Sequence, residues 1–175
     1  MPAKILALIT LIMFFLLQGS FISSLPFPFN CFNLLITVLT LLSAVFSLPA
    51  ALSAAVLFGA LLDVHSLSFF GANLISLLGA TLITNAALLK FFTNRSLYSF
   101  IFLTVIATVS FEFIKLILLA AGNVFTAEPE RNFIFGADLI LSIGCEILMN
   151  VAAVAAAFYA INYFSKKLKA FFILK

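Results

Sequence analysis

The sequence has few charged residues, no tryptophan, one histidine and two cysteines. Charged residues occupy 9% of the 175 positions, whereas hydrophobic residues occupy 65%. A soluble domain is about one quarter charged and roughly half apolar. The chain therefore has too few charges to cover a water-facing surface, and its composition predicts an all-α integral membrane protein.

The scarcity of histidine and cysteine also limits the chemistry that the chain can perform. Cys31 and Cys145 are far apart in the sequence and have no metal-site spacing, so we expect buried apolar thiols and neither a metal nor a cofactor. No nucleophile with a nearby base and no glycine-rich phosphate loop is evident, which favours a non-enzymatic protein. The net charge is +3, but the basic residues border apolar segments, which indicates contact with membrane lipids and not with nucleic acid.

Apolar segments predict six transmembrane helices within one membrane domain, 1–175, because each segment approaches or exceeds the roughly 20 residues that cross a bilayer. Basic residues cluster at the ends of the segments that share a side with both termini, and the opposite side carries only Arg131 beside two glutamates. The positive-inside rule then places the N- and C-termini in the cytoplasm. The predicted spans lie at about residues 5–25, 31–48, 49–65, 70–89, 96–121 and 133–164, followed by a basic cytoplasmic tail at 165–175.

The junction of the third and fourth spans combines small residues with an acid. Gly59 and Asp63 are four residues apart and share a helix face, and Gly71, Ile75 and Gly79 are expected to form a smooth face on the next helix. We expect Asp63 to accept hydrogen bonds from the backbone amides of residues 66–68, because the first amides of a helix lack partners. On that view Asp63→Asn is tolerated, since asparagine keeps an acceptor, whereas Asp63→Leu is not.

The pattern Gly59-Ala-Leu-Leu-Asp63, followed by Ser66 and Gly71, resembles the signature of MreD, the family of rod shape-determining membrane proteins. The hydrophobic layout is similar along nearly the whole chain. The resemblance implies a bacterial inner-membrane scaffold of the cell-elongation machinery, which supports peptidoglycan synthesis without doing chemistry. It also implies partners: MreC, RodA with its transpeptidase, and the cytoplasmic filament protein MreB.

Charged residues within the predicted fifth and sixth spans need partners, because an unpaired charge is unstable in a bilayer. A connection centred near residue 127 would place Lys115 level with Asp138 in an antiparallel pair of helices. We therefore expect Lys115 to pair with Asp138 or with Glu112 on its own helix.

Glu146 lies deep in the sixth predicted span, between Ser142 and Asn150, and the same register places it level with Thr108. Two interpretations stay open. Glu146 is either a protonated or hydrogen-bonded contact between helices, or a proton site or partner-binding residue.

Two other functions compete with the scaffold. Ala3-x-x-x-Ala7 resembles the small-residue docking motif of the substrate-binding S-components of energy-coupling-factor transporters, which have a similar size and six-helix layout. That function requires polar groups converging from outer loops, which are short here. A proton-coupled carrier using Glu146 is the third interpretation, and the predicted register offers it no second acid at the same depth.

Overall fold

The computed structural model describes residues 2–66, 70–91, 96–126 and 137–173, and every regular element within them is helical. This confirms the all-α prediction. These described residues form six α-helices, and the first is followed by a π-helical turn at Leu17–Phe21 and by 3₁₀ turns at Ile22–Ser24 and Phe29–Cys31. The α-helices are α1 (Pro2–Leu16), α2 (Leu34–Val45), α3 (Leu48–His65), α4 (Ala72–Phe91), α5 (Leu97–Thr126) and α6 (Ala137–Ile173).

Four of these helices, α3 to α6, are long and apolar enough to cross a membrane. The apolar segment Leu8–Ser24 and α2 are shorter. At 12 residues, α2 extends only about 18 Å, against a hydrocarbon core of about 30 Å. The structure thus describes a membrane protein with four candidate spanning helices, and the full set of six spans stays a prediction.

The helix ends differ from the predicted spans where side chains or prolines intervene. The second helix begins at Leu34 and not at residue 31, because Asn33 caps it: the Asn33 Oδ1 atom accepts from the Ile36 amide at 3.3 Å. Pro49 lies in the first turn of α3, where its missing amide hydrogen is not needed. At the other end of the chain, α6 continues beyond the predicted sixth span to Ile173 and includes most of the predicted basic tail.

The core lies where α2 crosses α3, α4 and α5. Phe58 of α3 is fully buried there between α2 and α4, and Phe111 of α5 closes one side. A smaller cluster joins Ala44, Phe100 and Val154, and thereby ties α6 to α2 and α5. Most of α6 lies outside these clusters, and only 11% of its apolar segment Leu139–Ala160 is buried. The main core consists of Leu35, Ile36, Leu39, Ala54, Ala55, Phe58, Leu77, Ala80, Ala107 and Phe111.

Several buried hydroxyl groups are satisfied within their own helices. Thr40 donates to the Ile36 carbonyl at 2.9 Å, and Thr84 donates to the Ala80 carbonyl at 2.7 Å. This pattern of bonding to the preceding turn is the one expected for threonine in an apolar helix, and it leaves these hydroxyls with no need of a ligand.

Candidate functional site: an acid-capped bend and a polar cavity

Asp63 connects the end of α3 to the start of α4. Its Oδ2 atom accepts hydrogen bonds from the amides of Gly71 at 3.0 Å and Leu74 at 3.1 Å, and its Oδ1 atom accepts from the amide of Asn73 at 2.9 Å. The side chain is only 3% exposed. A carboxylate that binds the free amides at a helix start also complements the positive end of the helix dipole. Asp63 therefore fastens the end of α3 to the start of α4.

Asp63 therefore accepts hydrogen bonds from amides at the start of α4, as expected, and the described donors are Gly71, Asn73 and Leu74. Of the expected donors 66–68, the Ser66 amide donates to the Leu62 carbonyl instead. The helix α4 begins at Ala72, later than predicted, so the unpaired amides lie at Gly71 and beyond. Ser66 contributes differently: its Oγ atom accepts from the side-chain amide of Asn73 at 3.2 Å. Residues 67–69 lie outside the described residues.

Gly59 is the point at which α3 and α4 touch. A Cβ atom placed on Gly59 would overlap the Cα of Leu74 and would lie 3.0 Å from its Cβ and 3.1 Å from its amide nitrogen. Leu74 is also one of the residues that donate to Asp63. The acid and the glycine of the Gly-x-x-x-Asp pattern therefore hold the same turn of α4.

Gly71 has a different role from the predicted one. Its φ of +97° places it in the left-handed region that favours glycine, and it lies in the bend before α4. Ile75 is 48% exposed, so Gly71, Ile75 and Gly79 do not form one packing face. Of the two glycines of this expected face, Gly79 is the one that packs against another helix: its Cβ position would lie 2.6 Å from the Cδ1 atom of Ile114 in α5.

A second site lies between the turn that precedes α2 and the facing parts of α5 and α6. It is a cavity of about 260 Å³, and we call it the polar cavity. Sequence reasoning did not predict that its members converge. Its polar side chains are Gln18, Asn30, Asn33, Glu112, Lys115, Ser142 and Glu146.

Gln18 and Asn33 build one wall of the polar cavity. The Gln18 side chain accepts from the Leu34 amide at 2.7 Å and donates to the Phe32 carbonyl at 3.2 Å, which holds the π-helical turn against the start of α2. Asn33 caps α2 through its Oδ1 atom and donates through its Nδ2 atom to Glu146 Oε1 at 3.0 Å. A π-helical turn often marks a functional site, and here it positions a carboxamide that binds the backbone.

Glu146 and Asn150 build the opposite wall, on α6. Asn150 is fully buried; it accepts from the Asn33 amide at 2.9 Å and donates to the Thr108 hydroxyl at 3.1 Å. Glu146 is 9% exposed and accepts from Asn33. The prediction that Glu146 makes a hydrogen-bonded contact between helices is confirmed, and its partner is the cap of α2.

The register between α5 and α6 is one helical turn from the expected one. Thr108 is level with Asn150 and not with Glu146, and Glu146 shares the polar cavity with Glu112. The expectation that no second acid lies near the depth of Glu146 is therefore wrong. The connection that sets this register, residues 127–136, lies outside the described residues.

Lys115 pairs with Glu112, which confirms one of its two expected partners. The Lys115 Nζ atom lies 3.8 Å from Glu112 Oε1 and 5.2 Å from the centre of the Phe111 ring. Asp138, the other expected partner, belongs to α6, but its side chain lies outside the described residues. The polar cavity thus contains one charge pair and one further carboxyl group, at Glu146.

The chemistry available in the polar cavity is hydrogen bonding and charge, supplied by two carboxyl groups, one ammonium group, three carboxamides and a hydroxyl. Among the residues that the structure describes, no group of three histidine, cysteine or acidic side chains could hold a metal ion. Gln18 and Asn33 could have been noticed from the sequence as amides in apolar surroundings. Their convergence with Glu146 depends on the turn at residues 22–33, whose path no periodicity encodes.

The chain matches no protein-family model, no curated protein and no solved structure.

Proposed function

We propose that this chain is a non-enzymatic, MreD-like scaffold of the bacterial cell-elongation machinery, embedded in the inner membrane. The observation that carries the proposal is the bend between α3 and α4. Gly59, Asp63 and Gly71, which form the resemblance to that family, act together: Asp63 binds the amide of Gly71, and Gly59 contacts the residue whose amide Asp63 also binds. A motif whose residues all serve one rigid bend fits a docking surface better than a catalytic centre.

The proposed topology has six spans and both termini in the cytoplasm, from the distribution of Lys and Arg. The bend and the polar cavity then open toward the outer side of the membrane. In this arrangement MreC, RodA and its transpeptidase are the proposed partners within or outside the membrane, and MreB is a proposed partner at the basic cytoplasmic ends.

The test is co-purification of tagged MreC and RodA with this chain from membranes of cells that express all three. We expect recovery of both partners with the unchanged chain, and loss of recovery with Asp63→Leu at equal amounts of chain in the membrane. Ser53→Ala is the matched control, because Ser53 is an exposed residue of the same helix. Failure of the unchanged chain to recover either partner would contradict the proposal.

A second candidate function is the substrate-binding S-component of an energy-coupling-factor transporter, and the polar cavity is the observation that favours it. Converging amide and charged groups in a cavity are typical of a small-molecule site. The deciding experiment is co-purification with the membrane-coupling subunit and ATPases of such a transporter. Recovery of these proteins in place of MreC and RodA would select this function over the scaffold.

A further inference from the structure

The two cysteines of the chain lie against one backbone oxygen. The carbonyl of Pro28 accepts from the Cys31 amide at 3.1 Å and from the Cys145 thiol at 3.7 Å. The Cys31 thiol itself donates to the Asn30 side chain at 3.5 Å, and it lies near enough to the Cys145 thiol for the two groups to interact. Residues separated by most of the chain are thereby brought together where the turn before α2 meets α6.

Both cysteines are free and partly exposed, which corrects the expectation of buried thiols, and a small oxidant can reach them. Cys31 belongs to the 3₁₀ turn Phe29–Cys31, and Cys145 lies in the third turn of α6. A disulfide needs two Cβ atoms about 4 Å apart. We expect side-chain rotation and a small shift of the turn to bring Cys31 and Cys145 to that separation, because the Cys145 thiol already contacts the carbonyl of the turn that contains Cys31.

We propose that Cys31 and Cys145 are a disulfide-forming pair, which a disulfide-bearing oxidant of the compartment outside the membrane oxidises. One cysteine thiolate attacks the disulfide of the oxidant, which gives a mixed disulfide and releases one oxidant thiolate. The second cysteine thiolate then attacks the sulfur of the first and releases the other oxidant thiolate. Two thiols lose two electrons and two protons in total, and the oxidant leaves as a dithiol.

The placement of this chemistry outside the membrane rests on the topology given under the proposed function, because disulfides persist only in oxidising compartments. The pairing itself rests on the geometry alone. These two parts can therefore fail separately.

The bond would act on the polar cavity. Cys31 lies two residues before Asn33, and Cys145 is adjacent to Glu146, so the disulfide would fasten both partners of the 3.0 Å hydrogen bond between the Asn33 side chain and Glu146. It would fix the cap of α2 against α6 and restrict the opening of the polar cavity. Reduction would return the turn to its own hydrogen bonds with Gln18 and Asn150.

The experiment counts free thiols in the full-length chain. Cells are quenched with acid, free thiols are blocked with N-ethylmaleimide, and the denatured chain is then reduced and labelled with a polyethylene-glycol maleimide that shifts its migration on a gel. We expect two added labels for the unchanged chain and none for Cys31→Ser or Cys145→Ser. Without the reduction step, none of the three chains should shift, and all should migrate as monomers.

A parallel arm treats reduced, isolated membranes with the permeant oxidant diamide, which needs no cellular compartment. Intramolecular disulfide formation with diamide but not in cells would support the cysteine pair and contradict the proposed topology. No disulfide in either arm would overturn the pair itself. A disulfide-linked dimer, present also in one of the single variants, would likewise overturn it.

Discussion

Both oxygen atoms of Asp63 are occupied, and this changes what the residue can be replaced by. The three donors divide between Oδ2 and Oδ1, and all are backbone amides. The sequence suggested that asparagine would be tolerated because it keeps one acceptor. In the structure, an asparagine amide group would place N–H donors opposite a backbone N–H donor, so that expectation is replaced by a graded loss.

We expect Asp63→Asn to lower the free energy of unfolding by about 1 to 3 kcal/mol, the cost of leaving a buried polar group unsatisfied. Asp63→Leu should cost more, because it removes all three acceptor contacts. Thermal unfolding in detergent measures the order, with Ser53→Ala as the control that should match the unchanged chain. Equal stability of the Asn and Leu variants would show that only the charge of Asp63 matters.

Glu146 is a buried carboxyl group whose partner is a neutral amide. Glu146→Gln keeps an oxygen acceptor for Asn33 and cannot carry a buried charge, so we expect unchanged or higher stability. Glu146→Leu leaves the Asn33 amide without its acceptor and should lower stability by about 1 to 3 kcal/mol. Thermal unfolding again separates the two variants.

The same Glu146→Gln chain also distinguishes the candidate functions. A scaffold needs the fold and should recover MreC and RodA at the unchanged level. A folded Glu146→Gln chain that keeps these partners but fails to support rod shape in cells would show that the carboxyl group has a role beyond structure.

At the level of the helix pair, the glycines are not equivalent. The Cβ position of Gly59 overlaps the backbone of Leu74, which cannot rotate away, whereas that of Gly144 meets no atom within 4 Å. Gly79 is intermediate, because the only atoms near its Cβ position belong to the flexible side chain of Ile114. The sequence shows that Gly59, Gly79 and Gly144 lie in apolar segments, but it does not show which of them is packed most tightly against another helix.

We expect Gly59→Ala to destabilise the chain by about 1 to 3 kcal/mol through overpacking. Gly144→Ala is the matched control, and it should leave stability unchanged or raise it by up to about 1 kcal/mol, because alanine favours helix over glycine. Gly79→Ala should fall between them. The ranking is read from unfolding temperatures in one detergent, and a Gly59→Ala chain as stable as the Gly144→Ala chain would contradict the close contact with α4.

The sequence predicts which segments are helical. It does not predict the register between neighbouring helices or which polar side chains converge in the polar cavity. Pro49 and the apolar runs predict α3 to α6 well, because local composition decides which segments are helical in a membrane. The predicted register places Thr108 level with Glu146, one helical turn from its actual partner Asn150. The register depends on the path of the connection between α5 and α6 and not only on the number of its residues. Spacing places Gly71 on a helix face, whereas it lies in the bend before α4 with a positive φ, which spacing cannot reveal.

For the whole molecule, the proposed topology makes a direct prediction about access. In the Cys31→Ser, Cys145→Ser background, a cysteine introduced at Glu128 should react with a membrane-impermeant maleimide from outside the cell. A cysteine introduced at Lys167 should react only after lysis, because both termini are placed in the cytoplasm. Gel fluorescence of the purified chain measures the labelling.

The cysteine-free background without an introduced residue is the control for these experiments and should remain unlabelled. The reverse pattern of access would contradict the predicted orientation, with both termini in the cytoplasm, and with it the placement of the polar cavity on the outer side. It would leave the hydrogen bonds of the bend and the cavity unaffected, since these do not depend on orientation.

The length of α6 determines how far the helix extends beyond the hydrocarbon core of the membrane. Its 37 residues extend about 55 Å at 1.5 Å per residue, and holding all of it within a 30 Å core would need a tilt near 57°, beyond the usual limit of about 40°. A membrane-spanning α6 therefore projects beyond the hydrocarbon core. In the proposed topology, a filament that binds the cytoplasmic end of α6 would be separated from the lipid by the projecting helical turns, and their number would set that separation.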